Sequence, residues 1–302
     1  MSVRVHALNA TAFEEYYDHH EHQADWDGLY EGDLKFNDIP HGQSQAHNTT
    51  RRLVQDVKYW NDWLQGDYFW IRVKIDDNYS ANEYATIVDS LRSLQWSSKV
   101  IKFQLLNWKP SKSHIVIQKS NGCSSHFGQQ SDANKGQVLN IDTPCIKQKS
   151  IQHLVLHTLG FAHEHSRSDR DNYIAINYDN IRSGYGQEFA IINNIDTLGI
   201  PYDFSSAMQY GPYTFSKGTN LKTIVPKSSN KHINTSLNKA SWYDNIQMRL
   251  MYQCTDGPRQ FSDYNKYRCT SNCKCWKNAG GCKGDSSSCK GNLLCKNNVC
   301  KK

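Results

Sequence analysis

Nowhere in the 302 residues do about 18 apolar residues run together, so no stretch of the sequence reads as a membrane-spanning helix. The opening MSVRVHALNA lacks an uninterrupted apolar run, so no secretory leader is visible there. One expectation this leaves is that the natural start lies upstream. No convincing internal repeat is present, which argues against a solenoid or array. Cysteine is scarce through most of the chain: Cys123 and Cys145 are the two that precede Cys254. A basic excess is also missing from the body. Of the formal +6 charge, residues 255–302 hold +7, from ten Lys/Arg against three Asp, and the remainder is close to neutral. That balance removes any strong case for the main domain neutralising phosphates, and no nucleic-acid partner is expected.

Eight cysteines crowd between Cys254 and Cys300. So dense a cluster reads as a small disulfide framework and points to an oxidising, secreted setting. Sequons at Asn9, Asn48, Asn78 and Asn234 are compatible with that setting and add little. The basic tail suits contact with acidic glycans or cell surfaces. At the other end, residues 1–52 are rich in His, Asp, Glu and Asn, show no sustained apolar period, and finish in the dibasic NTTRR. They read as a pro-segment, in which His6, His19, His20 and His22 are solvated polar residues. From Trp60 the pattern changes. YFWIRVKI (68–75) alternates as a strand should, and SANEYATIVDSLRSLQW (80–96) places Tyr84, Ile87, Val88, Leu91 and Leu94 at helical spacing behind a Ser80 N-cap. KVIKFQLL and SHIVIQ are further strands, so the expected class is mixed α/β (α+β).

The chemistry concentrates in HLVLHTLGFAHEHSRSDRD, His153 to Asp171. His153 and His157 are four apart and share one face of a helix, where both imidazoles can converge on one ion. Alone, such a pair is most often structural. Gly160 sharpens it, because a glycine there can end the helix in a left-handed conformation and return the chain, delivering His163 to the same point. Three neutral imidazoles with an open fourth position make a catalytic type of zinc site.

His153, His157, Gly160 and His163 resemble the elongated zinc motif of the metzincins, and FAHEHSRSDRDNY resembles the astacin family in particular. YDFSSAMQY (202–210) is similar to that family's Met-turn. The resemblance implies one Zn2+ per chain, Met208 as the apolar floor beneath it, and Tyr210 as a mobile phenol that stabilises a tetrahedral oxyanion. YEGD (30–33) is similar to the pro-segment motif, with Tyr30 in place of the usual Phe, and implies that Asp33 puts a carboxylate on the metal's open position. Cleavage near Arg51 or Arg52 would activate the chain, and the new N-terminus would fold toward Glu164, where charge must be paired. Cys123 and Cys145 match one family disulfide. The second departs, because Val100 stands where the partner of Cys254 is expected, so the arithmetic of eight cysteines ties Cys254 to the tail.

Leu154 is the other departure. Zinc peptidases of this pattern carry a Glu after the first His, which takes the proton from water and passes it to the leaving amine. Leucine has no titratable group. The resemblance thus implies a two-lobed metzincin-like domain over residues 53–254 with a central cleft, preceded by a pro-segment (1–52) and followed by a Cys-rich module (255–302). It implies a secreted zinc metalloendopeptidase acting on peptides or proteins, weakened at Leu154. The alternative is a non-catalytic zinc-binding pseudoprotease that binds peptides or proteins.

Overall fold

The computed structural model describes residues 57–253, except 67, 121, 131, 193, 194 and 196, together with short strands at 34–35, 294–296 and 299–301. Tyr30, Asp33, Arg51, Arg52 and Cys254 lie outside the described residues, as do the histidines of the first segment. β1 (Leu34–Lys35) and β2 (Leu64–Gln65) are two residues each, and the sheet centres on β3 (Tyr68–Ile75). β3 alternates as its sequence predicts, with Phe69, Ile71, Val73 and Ile75 buried and the residues between them half-exposed. β4 (Ile101–Leu106) pairs in parallel along one edge of it, from Phe69 opposite Ile101 to Lys74 opposite Leu106. The other edge takes antiparallel β2 at its start and parallel β5 (Ile115–Gln118) at its end. Beyond β5, the sheet continues into parallel β7 (Gln137–Asn140). An antiparallel bridge between Ser124 and Asn140 then brings in β6 (Ser125–His126), and β1 lies parallel to β6.

Three helices back this sheet. α1 (Ala81–Ser98) starts on a capping box: the Glu83 N–H donates to Ser80 Oγ, and the Ser80 N–H donates to the Glu83 carboxylate at 2.8 Å. Ile87, Val88, Leu91 and Leu94 are buried as their spacing predicts. Tyr84 is not. It is 43 % exposed because the core stops short of the first turn, where residues 80–82 are exposed as well. Buried amides join α2 (Gln148–Thr158) to α1 and to the segment that leads into α3 (Trp242–Gln253): Gln152 Nε2 donates to Ser90 O, and the Ala240 N–H donates to Gln152 Oε1. Near the end of α3, Arg249 donates from two guanidinium nitrogens to Ser97 O and Ser98 O, the free carbonyls at the end of α1. Val100, next to that point, is fully buried and its carbonyl accepts from the Phe69 N–H.

The apolar side chains gather into two clusters, which are the two lobes. One joins the sheet to the three helices and includes Leu154, Leu156, Met208 and Tyr252. The second is built from Ile174, Phe189, Tyr202, Tyr210, Phe215 and Ile224, and includes the antiparallel pair β8 (Ile174–Ile176) and β9 (Ile224–Pro226). In the tail, β10 (Leu294–Lys296) pairs antiparallel with β11 (Val299–Lys301), with Cys295 opposite Cys300.

Candidate active site

α2 carries His153 and His157 one turn apart, and its end determines where His163 goes. The helix closes in a Schellman arrangement: the Phe161 N–H donates to Leu156 O, and the Gly160 N–H donates to His157 O. Gly160 takes φ +97°, a region that favours glycine. The chain then turns back, and His163 is followed by a short 3-10 turn (Glu164–Ser166) whose first N–H donates to Met208 O.

The three Nε2 atoms converge. His157 Nε2 stands 3.0 Å from His153 Nε2 and 3.1 Å from His163 Nε2, and the remaining pair is 3.3 Å apart. His153 Nδ1 lies 2.7 Å from Ala207 O, and His157 Nδ1 lies 2.7 Å from Phe161 O. A carbonyl only accepts, so Nδ1 carries the proton in both rings and Nε2 presents a bare lone pair. Lone pairs facing each other at 3.0 Å repel unless a cation sits between them. Three imidazole nitrogens about 2.0–2.1 Å from one zinc in tetrahedral geometry would lie roughly 3.3–3.4 Å apart, close to the separations seen. The donor set fits Zn2+, and among the described residues this is the one group of three or more His, Cys, Asp or Glu that could hold a metal ion.

Support reaches the triad from α3. Asp244 accepts from Ser206 Oγ at 2.6 Å and from the Ala207 N–H at 2.8 Å, fixing the segment whose carbonyl orients His153. The same carboxylate accepts from the Ser241 N–H, and Ser241 Oγ accepts from the Asp244 N–H. Glu164 is buried against Arg167, whose guanidinium donates to Oε1 at 2.8 Å, and the Asp203 N–H donates to the same oxygen. Burial pushes the Glu164 carboxyl up to about 8, against Arg167 and the Asp203 amide, which favour its anion. Arg167 also binds Asp169 through two nitrogens.

A model of the family described as "Astacin (Peptidase family M12A)" matches residues 56–253. The chain belongs to the astacin family. It is 30 % identical over 229 residues to the Astacin-like metalloendopeptidase of Coturnix japonica, covering 75 % of this chain and 52 % of that protein. Over 187 residues it is 35 % identical to Meprin A subunit alpha of Mus musculus, covering 59 % of this chain and 24 % of that one. The Low choriolytic enzyme of Oryzias latipes shares 34 % over 180 residues, 60 % of this chain and 64 % of its own. The chain thus spans about half or less of the length of the first curated relatives it matches. Among solved structures, High choriolytic enzyme 1, a hatching enzyme zinc-protease from Oryzias latipes, aligns with TM-score 0.59 at 28 % identity, over 72 % of this chain and all of that one.

In this astacin domain the triad sits where the two lobes meet. Met208 is buried in the first cluster, in the segment that Asp244 holds. Tyr210 belongs to the second cluster, its ring 4.5 Å from that of His163. Leu154, one residue after His153, is 2 % exposed and packed in the first cluster. Cys123 and Cys145 are bonded to each other, with Cα atoms 6.3 Å apart. Sequence reasoning passed over His165 and Asp244. His165 is fully buried and its ring stacks on Tyr210 at 4.0 Å and on His163 at 5.3 Å, while Nε2 lies 2.9 Å from Glu188 O. Its adjacency to Glu164 in HEHSR was the available signal. Asp244 offered none, being an isolated acid far along the chain. No helix among the described residues is long and apolar enough to cross a membrane.

Proposed function

We propose that the protein is an extracellular zinc metalloendopeptidase, made as a zymogen, in which Leu154 slows peptide-bond hydrolysis by removing the general base. The observation that carries this reading is an intact cluster of three converging imidazoles with a buried, non-titratable Leu154 beside it on the same helix. His153, His157 and His163 would hold the zinc, which would supply Lewis-acid polarisation and lower the pKa of water toward about 7. The side chains must do the rest. Tyr210, packed against His163, is the candidate donor to the developing oxyanion. Leu154 can neither accept a proton nor return one to the leaving amine, a deficit typically of about 10²- to 10⁴-fold in rate.

Support for the zymogen comes from β1, which begins at the residue after Asp33. Leu34 pairs with Ser125, and Ser125 Oγ lies 2.7 Å from Thr158 Oγ1 on α2. A strand at Leu34–Lys35 next to Ser125, which touches the zinc helix, supports Asp33 as the switch released by cleavage near Arg51 or Arg52. Glu164 is the acceptor for the new N-terminal ammonium, since both of its described donors take Oε1. The Cys123–Cys145 bond supports an oxidising compartment.

The experiment is peptide cleavage by the processed protein and its Leu154→Glu variant, with zinc measured on the same samples. Both should carry about one zinc per chain, and the natural protein should be at least ~100-fold slower, the magnitude of a restored general base. Equal turnover in the two would mean that another group moves the proton. Near-zero zinc in the natural protein would remove the metal site. The alternative reading, a zinc-binding homologue that holds peptides without cutting them, rests on the same Leu154 and takes over if both proteins are inert with zinc bound.

A further inference from the structure

The sheet's outer face carries charge of one sign. Strands β2 to β5 and β7 contain no Asp or Glu, and their charged residues are Arg72, Lys74 and Lys102. Alternation puts Arg72 and Lys74 on the half-exposed side of β3 with Tyr68 and Trp70, and the register sets Lys102 beside Trp70. The inner side is packed on the helices that hold the zinc site, so this face looks away from it.

Aromatic rings, not carboxylates, hold two of these cations. The Arg72 guanidinium lies 4.2 Å from the Trp63 ring, and the Lys102 ammonium lies 4.6 Å from the Tyr68 ring. Trp63 in turn packs on Trp70 at 5.5 Å. Among the described residues, none of the three cations takes part in an ion pair. The loop before β5 adds Lys109 and Trp108, the latter 58 % exposed. His114 shows that this charge converges. Desolvation holds its imidazole below the ordinary value, against the bond to Lys112 O, and Lys109, Arg72 and Lys74 all add to the lowering.

We propose that this face binds a sulfated polysaccharide. Arg72 and Lys74, two residues apart on β3, are separated by about 6.6 Å, and Lys102, on the neighbouring strand and offset by two residues from Arg72, lies roughly 8 Å from it, so a polymer with repeated sulfates can meet several at once. Because rings already hold Arg72 and Lys102, little of their freedom is lost when an anion arrives. The interleaved aromatic flanks and the exposed Trp108 favour sugar over acidic polypeptide, since the C–H face of a pyranose can lie on a ring while its sulfates reach the cations.

The test uses the full chain titrated with a heparin decasaccharide at fixed salt, followed by tryptophan fluorescence and calorimetry. Its arms are the double variant Arg72→Gln/Lys102→Gln, the single variant Lys74→Gln, a tail control Lys301→Gln/Lys302→Gln, a desulfated decasaccharide and a polyglutamate peptide. The double variant should bind at least about tenfold more weakly, as expected for loss of two charge-assisted contacts. Lys74→Gln should weaken binding too, the tail control should change it less than either, and the desulfated sugar should not bind. If the double variant unfolds, the Lys74→Gln result decides. Unchanged affinity in the face variants overturns the proposal, as does a tail control that reproduces their loss. A polyglutamate peptide that binds as tightly as the saccharide would assign the face to acidic protein instead.

Discussion

An added Cβ at Gly160 would stand 3.1 Å from Val57 Cγ1 and 3.2 Å from Tyr59 Cε1, in a backbone already at φ +97°. Gly160→Ala therefore meets both a left-handed backbone penalty and a close contact, together about 1–3 kcal/mol. Urea unfolding should show that loss. Zinc should also dissociate more readily from the variant, because the turn that is strained is the one that returns His163; unchanged zinc retention would separate the turn from the site. At this scale much of the site was legible. His153 and His157 were readable from helical spacing, and His163 from the glycine between them, because a turn with one permitted residue type leaves a mark in the sequence. His165 left no such mark: its ring acts through stacking on Tyr210, 45 positions away, and no local pattern encodes a partner at that distance.

Among the elements, α3 acts on the site without touching it. Asp244 accepts from Ser206 Oγ and from the Ala207 and Ser241 amides, all buried. Asp244→Ala leaves these donors without their acceptor and should cost about 2–5 kcal/mol by denaturant unfolding. Zinc affinity should fall with it, because Ala207 O orients His153, whereas a loss of stability at unchanged affinity would confine Asp244 to the fold. α1 gives a prediction in pH. Lys119, 2.7 Å away, is the first cause of the low Glu83 value and the bonds with Ser80 follow, holding the carboxyl down to about 2. A depressed folded value means that the anion stabilises the fold above the ordinary value near 4.5, and that this contribution is lost as pH falls toward about 2. Glu83→Gln should therefore melt lower than the natural protein at pH 7, with the difference closing below pH 4.5. A constant gap down to pH 2 would refute the linkage. β3 and α1 were readable because alternation, helical period and capping are local signals. β8 and β9 are three residues each and pair across 50 positions, too short for a period to register.

For the whole molecule, the departure at Val100 and the odd tail count make a covalent prediction. Mass mapping of non-reduced digests should find Cys254 joined to a cysteine between Cys269 and Cys300, and a free Cys254 thiol in secreted material would refute it. Within the described residues, Arg249 already fastens the end of α3 to the end of α1 through two carbonyls, so that junction is held there by hydrogen bonds. The two-lobed plan was accessible from the sequence through its resemblance, whereas the division of the core into two apolar clusters depended on long-range packing that no window of residues displays. The parallel pair of β1 and β6 has one more consequence. With Leu34 and Lys35 in place, the outermost strand of the sheet has neighbours on both sides. If the chain matures by the proposed cleavage, removing them would strip that rim and leave amides and carbonyls in a row that another extended chain can adopt. Unless a peptide took the vacancy, two molecules so processed could take it from each other, so on the proposed zymogen reading release of that segment would also expose the protein to self-association in storage.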